Sequence, residues 1–220
     1  MAIRAVIFDM DGLLIDSEPI WEEVGKAVLA SYGQVLTHEQ YLTTTGLRTR
    51  EWLEHWFNYF SIDEGLLPAA ERQIIMGVIN AIGIKGKAMP GVGHILDYFS
   101  SKGLPIGLAT SSPLAMAYKV VQLLGIHPYF KVLTSAEHLP YGKPHPQVYL
   151  DCAEKLGIMP ADILCFEDSV NGMVAAKAAK MKCVVVPAFA QRQWPAWGLA
   201  DLRISSLQNF NDLLFYQLDK

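Results

Sequence analysis

The sequence has little cysteine, little surplus charge and no long hydrophobic run. It contains three cysteines in 220 residues, Cys152, Cys165 and Cys183, and none of them forms a CxxC pair. Their wide spacing within apolar stretches argues against a disulfide framework or a zinc site, so we interpret them as reduced core cysteines. The formal net charge is −4, and the basic residues are scattered, which argues against a nucleic-acid partner.

No stretch approaches the roughly 18 apolar residues of a membrane span, so we expect no membrane partner. The apolar run near the amino terminus stops at Asp9, too early for the core of a signal peptide. These absences predict a cytoplasmic protein. Hydrophobic residues make up 51% and charged residues 18%, which is typical of a chain that folds without a partner, and we expect a monomer.

Short β-branched apolar runs recur along the chain, and each is followed by a polar residue or a glycine. Such runs indicate strands buried on both faces, as in a parallel sheet. We predict strands over residues 5–8, 106–109, 131–133, 163–166 and 184–186. Helical patterns lie between them, over residues 92–101, 113–124, 147–156 and 170–181. This alternation predicts a doubly wound α/β fold with a parallel sheet.

Residues 17–86 break the alternation, because they contain amphipathic segments and no convincing strand. Helical patterns cover residues 20–30, 51–60 and 69–82. We therefore predict an α/β core formed by residues 1–16 and 87–220, with an all-helical insert formed by residues 17–86. Glycine and proline near both ends of the insert are suited to act as hinges.

The first chemical signal, Asp9-Met10-Asp11-Gly12, follows the first predicted strand. Asp9 and Asp11 would point to opposite faces of a continued strand, but Gly12 permits a turn that brings them together. Ligands of open α/β sheets bind at this edge, beyond the carboxyl ends of the strands. Spacing alone also allows a solvated loop.

The second signal is Thr110-Ser111-Ser112-Pro113, after the second predicted strand. Ser112 suits a helix N-cap and Pro113 the first helical position. A helix that begins there directs free N–H groups at the same edge of the sheet, which favours a phosphate. An ordinary capped helix is the alternative.

Two later segments supply charge. Lys143 lies in a stiff glycine- and proline-rich loop and is suited to bind phosphate as a point charge. Glu167 and Asp168 follow the fourth predicted strand and are hard oxygen donors for Mg²⁺, and Ser169 is suited to cap the next helix. A surface lysine and an acidic helix start are the alternatives. Because all four signals follow strands of one sheet, together they indicate a site for phosphoryl transfer.

At these residues the sequence resembles the haloacid dehalogenase superfamily, on its phosphatase side. The four family motifs appear here as Asp9-Met10-Asp11-Gly12, Thr110, Lys143 and Glu167-Asp168, in the family's order. The resemblance spans nearly the whole chain, and residues 17–86 fall where one branch of the family carries a helical cap. The segment from Tyr141 to Leu150 is similar to bacterial hexose- and hexitol-phosphate phosphatases, including 2-deoxyglucose-6-phosphate phosphatases.

The resemblance implies a phosphoric monoester hydrolase that acts on a small phosphorylated metabolite, such as a sugar or sugar-alcohol phosphate. It implies that Asp9 attacks phosphorus to form an aspartyl phosphate, and that Asp11 is the general acid and base. It also implies that Thr110 and the Ser111 backbone N–H bind phosphoryl oxygens, and that Lys143 holds Asp9 and the phosphate.

The resemblance further implies a Mg²⁺ cofactor and a substrate-binding loop in the cap. The metal would be held by Asp9, the main-chain carbonyl of Asp11 and Asp168, with Glu167 nearby or ligating. This substrate-binding loop would comprise Gly46, Leu47 and Arg48, where Arg48 either contacts the substrate or is a solvent-exposed residue at a helix start. Three cap tryptophans either line the substrate pocket or pack between helices: Trp21, Trp52 and Trp56.

Other activities of the same fold remain alternatives. A β-phosphoglucomutase-like enzyme would return the phosphoryl group to a sugar hydroxyl. The β-phosphoglucomutases carry a histidine near the position of Trp21, and that histidine is absent here. Their cap arginine lies one residue further from the glycine than Arg48 lies from Gly46. Both differences favour water as the acceptor. A dehalogenase needs neither the proton relay nor the metal site, and no cap lysine suits phosphonate hydrolysis. A regulatory protein that lost its activity is the alternative outside the enzymes.

Overall fold

This computed structural model describes residues 2–219, in which six strands and several helices alternate. The strands are β1 (Ala5–Phe8), β2 (Ile106–Thr110), β3 (Phe130–Ser135), β4 (Ile163–Glu167), β5 (Lys182–Val185) and β6 (Leu202–Arg203). Every pairing is parallel, and the strand order is β3-β2-β1-β4-β5-β6. The order places β1 beside β2 and β4, so the loops after these three strands are neighbours.

The helices divide into a group before β2 and a group that alternates with the strands. The first group comprises α1 (Glu18–Ser31), α2 (His38–Leu42), α3 (Thr49–Phe60), α4 (Leu67–Lys85) and α5 (Val92–Ser101). The second group comprises α6 (Leu114–Leu123), α7 (Gln147–Leu156), α8 (Val170–Ala178) and α9 (Asp212–Leu218). Among these, α1 packs on α4 and α4 on α3, forming a helical layer over the edge of the sheet.

The central strand β1 is buried on both faces. Val6 and Phe8 belong to one hydrophobic cluster, and Ala5 and Ile7 belong to the other. All four side chains are fully buried, because alternate residues of a strand point to opposite faces and helices cover both. The predicted doubly wound α/β fold is thereby confirmed.

Three details differ from the sequence prediction. Strand β6 is not predicted, because two residues are too few to form a recognisable apolar run. The short helix α2 is likewise missed. The predicted N-cap at Ser112 is wrong: α6 begins at Leu114 with Pro113 as its cap residue, whereas Ser169 does cap α8 by accepting from the Gly172 amide.

The segment that carries α1 to α4 leaves and rejoins the core at one place. Ile15 and Ala88 form an antiparallel bridge, and the Asp16 amide donates to the Lys87 carbonyl at 2.9 Å. Because the two connecting segments lie side by side, they are suited to act as a hinge between the core and helices α1 to α4. The division into two domains at residues 17 and 86 stays a prediction.

In the described part of the chain, no helix combines the length and the apolar character needed to cross a membrane.

Candidate active site

The loop after β1 carries Asp9 and Asp11, and Gly12 turns it. Gly12 has a φ of +74°, in the left-handed region that favours glycine. A Cβ atom at this position would lie 2.0 Å from a carboxylate oxygen of Asp168, so the available space also requires glycine. The turn keeps both carboxylates at the carboxyl edge of the sheet, where the Asp9 amide donates to the Phe166 carbonyl at 3.0 Å.

Lys143 lies beneath Asp9 and is almost completely buried, with 1% of its surface exposed. Its Nζ donates to Asp9 Oδ1, to Glu167 Oε1 at 2.7 Å and to the Ala109 carbonyl at 3.0 Å. The Tyr149 hydroxyl donates to the same Glu167 oxygen. Since an ammonium group has three protons to donate, these contacts satisfy Lys143 and fix it beside Asp9.

The carboxylates outnumber the cation in this cluster. Burial raises the pKa of Asp9 well above its usual range, Glu167 and Asp11 raise it further, and Lys143 opposes them. Burial and the charge of Asp9 raise the pKa of Asp168. Burial lowers the pKa of Lys143, but the charges of Asp9 and Glu167 outweigh it and raise that pKa. A further cation would relieve the remaining repulsion.

The acidic cluster fits a divalent cation. Asp9, Glu167 and Asp168 each place an oxygen within 4.8 Å of the others, and such hard oxygen donors suit Mg²⁺. Both oxygens of Glu167 are engaged, Oε1 by Lys143 and Oε2 by two backbone amides that follow it. Asp9 and Asp168 are therefore the better donors, and direct ligation by Glu167 stays a prediction.

Asp11 lies between the core and the helical layer and accepts hydrogen bonds from both. Its Oδ1 accepts from Ser17 Oγ at 2.7 Å and from Trp21 Nε1 at 2.8 Å. Its Oδ2 accepts from Ser112 Oγ at 2.7 Å and from Thr110 Oγ1 at 3.4 Å. Four donors thus fix the orientation of this carboxylate, and α1 is tied directly to it.

Sequence reasoning did not assign Ser17, Trp21 or Ser112 to this carboxylate. The sequence predicts Ser112 only as a helix cap and Trp21 only as a pocket or packing residue. The N-cap pattern shows that a serine hydroxyl lies near a strand end, but no local pattern shows which way a hydroxyl or an indole N–H points.

A cavity separates the acidic cluster from the helical layer. Its volume is about 60 Å³, which leaves room for a few waters. Its core side is lined by Asp9, Asp11, Thr110, Ser111, Ser112, Lys143, Asp168 and Ser169, and its helical side by Glu18, Trp21, Gly25, Tyr41, Thr44, Thr45, Gly46, Leu47, Thr49, Trp52 and Ile74. Among the described residues, Lys143 is the single basic side chain that lines it.

The three cap tryptophans have different surroundings. Trp21 and Trp52 line the cavity, whereas Trp56 is buried within the helical layer and donates to Thr44 Oγ1 at 3.2 Å. The buried indole N–H of Trp52 has no hydrogen-bond partner among residues 2–219. An unpaired buried donor is costly, so a polar ligand that reached it would gain a hydrogen bond.

Glu18 brings a carboxyl group to the helical side of the cavity. The Tyr41 hydroxyl donates to Glu18 Oε2 at 3.0 Å. Burial raises the pKa of Glu18 to about 7, with the negative charge of Asp11 adding to the rise and the Tyr41 hydrogen bond opposing it. Near neutral pH this group therefore exchanges between a donor and an acceptor of hydrogen bonds.

Glu18→Gln should change how stability depends on pH. The pKa of Glu18 rises from 4.5 to about 7 on folding, so the wild type loses stability as pH rises through this window and the loss levels off above it. The glutamine variant lacks this titration. Because the side chain is half-buried, we expect it to gain about 1–2 kcal/mol relative to wild type between pH 4.5 and 7.5.

Urea unfolding at several pH values, without divalent metal, measures this difference. Glu23→Gln is the matched control, since Glu23 is an exposed residue of the same helix. A stability difference for Glu18→Gln that is constant across pH would contradict the assignment.

The structure brings most of the residues predicted for the site to one cavity. Gly46 and Leu47 line it together with Thr110 and Ser111. Arg48 and Glu167 do not line it. The guanidinium group of Arg48 points to backbone carbonyls of the core, and the carboxylate of Glu167 is buried against Lys143 and Tyr149. Direct contact between Arg48 and a substrate stays a prediction.

Comparisons with known proteins give one consistent family. Residues 3–180 match the family model of haloacid dehalogenase-like hydrolases. Hexitol phosphatase B of Escherichia coli (strain K12) is 43% identical over 206 residues, which cover 93% of each chain. A phosphorylated carbohydrates phosphatase of Thermotoga maritima is 32% identical and covers 80% of this chain and 82% of its own.

Solved structures with the same fold have lower sequence identity. β-Phosphoglucomutase from Clostridium difficile superimposes with a TM-score of 0.86 at 22% identity, covering 98% of this chain and 96% of its own. CbbY from Rhodobacter sphaeroides, solved with phosphate, also gives 0.86 at 22% identity, with 98% and 99% covered. At this level of identity these structures establish the fold alone.

Proposed function

The chain belongs to the haloacid dehalogenase-like hydrolase family as a phosphoric monoester hydrolase, and we propose that it is a Mg²⁺-dependent phosphatase of sugar and sugar-alcohol monophosphates. One observation carries the proposal. Asp9, fixed by Lys143 and within reach of Asp168, lines the same side of the cavity as Asp11. A nucleophile, a cation, a metal site and a second carboxylate are the groups that phosphoryl transfer through an enzyme carboxylate requires.

Asp9 and Asp168 would hold Mg²⁺ together with the main-chain carbonyl of Asp11. When bound, the ion neutralises negative charge between the nucleophile and the phosphoryl group. Lys143 orients Asp9 and offsets part of the same charge. The Thr110 hydroxyl and the Ser111 backbone N–H lie at the carboxyl edge of β2, where they support the phosphoryl oxygens.

The reaction proceeds in two displacements. A carboxylate oxygen of Asp9 forms a bond to phosphorus while the bond between phosphorus and the ester oxygen breaks, and Asp11 donates a proton to the departing alcohol. Asp11 then accepts a proton from water as that water attacks phosphorus and the bond between phosphorus and the Asp9 oxygen breaks, which releases inorganic phosphate and restores the Asp9 carboxylate. The four hydrogen-bond donors around Asp11 hold its carboxyl group in position to donate a proton in the first displacement and to accept one in the second.

The cavity favours a substrate with one phosphate and an uncharged polyhydroxyl remainder. Beyond Asp9 its walls offer hydroxyl groups, aromatic rings and the Glu18 carboxyl. Hydroxyl groups of a polyol suit these partners. A second phosphate would lie near the Glu18 carboxyl, which is partly charged near neutral pH, with no basic side chain on that side of the cavity to balance it. This also disfavours a mutase, because phosphoryl transfer to a sugar phosphate forms a bisphosphate.

Phosphate release in the presence of Mg²⁺ tests the proposal directly. We expect turnover of mannitol 1-phosphate, sorbitol 6-phosphate and 2-deoxyglucose 6-phosphate, with kcat/KM for fructose 1,6-bisphosphate and phosphoglycolate lower by roughly tenfold or more. Conversion of glucose 1-phosphate to glucose 6-phosphate without phosphate release would support the mutase instead. Absence of turnover with every substrate would favour a regulatory protein.

Mg²⁺ should stabilise the protein as well as activate it. At 100 times its dissociation constant we expect about 2.7 kcal/mol of stabilisation, observed as a higher midpoint of thermal unfolding, and EDTA should abolish turnover. Asp168→Asn should remove most of this shift because it removes a charged ligand. Asp162→Asn, which lies at the opposite end of β4, is the control. An unchanged Mg²⁺ shift in Asp168→Asn would place the ion elsewhere.

Trp21→Phe should lower kcat by roughly tenfold with little change in KM. The ring is retained, but Asp11 loses a hydrogen bond, and one bond to a charged group contributes about 1.5–3 kcal/mol. Steady-state kinetics with a hexitol phosphate measures the effect. Trp56→Phe is the control, since its N–H donates to Thr44 and its loss should leave kcat unchanged. A kcat for Trp21→Phe equal to that of wild type would refute a role for this contact.

A further inference from the structure

Residues 44–48, here called the cap loop, contact the loops after several core strands. Ser111 Oγ, after β2, donates to the Gly46 carbonyl at 3.0 Å. Asn171 Nδ2, in the first turn of α8, donates to the Thr45 carbonyl at 3.0 Å. A further set of contacts, made by the last residue of the cap loop, reaches the segment after β3.

Arg48 makes those contacts with the forked end of its side chain. Nη1 donates to the carbonyls of Ala136 and Leu139, the former at 3.0 Å. Nη2 donates to the Pro140 carbonyl at 3.3 Å and to Glu51 Oε1 at 2.7 Å. The side chain is only 14% exposed, so these acceptors replace water around most of its charge.

Glu51 extends the same contact toward Lys143. Its Oε1 accepts from the Gly142 amide at 2.9 Å. A Cβ atom at Gly142 would lie 2.5 Å from Glu51 Oε2 and 2.7 Å from side-chain atoms of Arg48, so the two surfaces meet with no room for a side chain. Gly142 directly precedes Lys143 in the chain, and two cap residues therefore fix the backbone that carries the buried ammonium.

We propose that Arg48 and Glu51 are positioning residues that seat the cap loop on residues 136–142 and so hold Lys143 against Asp9. This inference rests on the proposed phosphatase reaction. Gly46 and Leu47 of the cap loop line the cavity, and we infer that the loop lifts to admit substrate. Lifting separates Arg48 from its carbonyls and Glu51 from the Gly142 amide, and closure restores both when the substrate is in place.

This role differs from substrate recognition by Arg48. The guanidinium group already has four acceptors, and none of them faces the cavity. If Arg48 positions Lys143, its loss affects every phosphate ester in the same way, because Lys143 acts at the phosphoryl group. If Arg48 binds the polyol, its loss affects only substrates that carry one.

Kinetics of Arg48→Ala, Glu51→Ala and the double variant separate these roles. Each is compared on a hexitol phosphate and on p-nitrophenyl phosphate, which has no polyol. We expect each single variant to lower kcat roughly tenfold on both substrates, and the double variant to lose little more than either single variant, because the residues act as one unit. Gly142→Ala should also lower kcat on both substrates, because its methyl group would push Glu51 and Arg48 away from this segment of the core.

Arg50→Ala is the matched control, since Arg50 is a neighbouring arginine of α3 that pairs with Glu54 at the surface. Hydrogen exchange at the Gly142 amide provides a readout without substrate. It should accelerate at least tenfold in Arg48→Ala and Glu51→Ala and not in Arg50→Ala. This result would hold even if wild type hydrolysed no phosphate ester, which would refute only the proposed function.

Two results would overturn the inference. One is a rise in KM for the hexitol phosphate alone in Arg48→Ala, with Glu51→Ala and Gly142→Ala equal to wild type. The other is unchanged exchange at Gly142 in both alanine variants, in samples whose thermal unfolding confirms a native fold.

Discussion

Asp9→Asn is expected to lower kcat for phosphate release by roughly 10⁴-fold or more. The amide is close in size to the carboxylate and can still accept from Lys143, but it is a far weaker nucleophile toward phosphorus. Because the amide carries no charge, it also no longer repels a phosphate dianion, so inorganic phosphate should bind at least as tightly as to wild type. Steady-state turnover and calorimetric phosphate binding measure the two effects separately.

The control for this variant is Asp16→Asn, which removes an exposed carboxylate from the same connecting segment. We expect its turnover to stay within about twofold of wild type, because surface charges contribute little. If Asp9→Asn kept more than a tenth of the wild-type kcat, the bond to phosphorus would have to form at another residue.

Lys143→Met is expected to cause the largest loss of stability, about 3–5 kcal/mol in the free energy of unfolding. Its aliphatic chain fills a similar volume, but Asp9 and Glu167 lose the ammonium between them and remain buried. The loss of activity should be about 10²- to 10³-fold, since one charged donor to the reacting groups is removed. Urea unfolding gives the first quantity and phosphate release the second.

Lys85→Met serves as the reference for a lysine in an exposed ion pair. Lys85 pairs with Glu23, and its side chain is 54% exposed, so its loss should cost less than about 1 kcal/mol. Equal stabilities for the two methionine variants would mean that the buried carboxylates do not depend on Lys143.

The sequence predicts the core well because strand ends are visible in it. Five of the six strands coincide with short apolar runs in the sequence. The predicted site residues come directly after such runs or in the loops between them: Asp9, Thr110, Lys143 and Asp168. Parallel strands bring their carboxyl ends to one edge whatever the details of packing. The grouping of these residues around one cavity therefore requires only the strand order to be right.

Contacts that depend on the helical layer could not be predicted in the same way. The hydrogen bond from Trp21 to Asp11 and the contacts of Arg48 with residues 136–140 join segments about 10 and 90 positions apart. They depend on the angle at which α1 and α3 sit over the sheet, and this angle comes from packing that no local pattern encodes. The sequence places Glu51 in a helix but does not indicate its partner, although its carboxylate accepts from the Gly142 amide.

The small cavity beside Asp9 has a consequence for the proposed aspartyl phosphate. In the proposed reaction, a space this small would favour water as the second acceptor after the first alcohol has departed. A sugar would need the helical layer to move aside before it could compete. The ratio of hydrolysis to transfer would then depend on the rate of water attack relative to the rate at which the helical layer opens. Added glycerol or free hexitol should therefore capture little of the phosphoryl group relative to water.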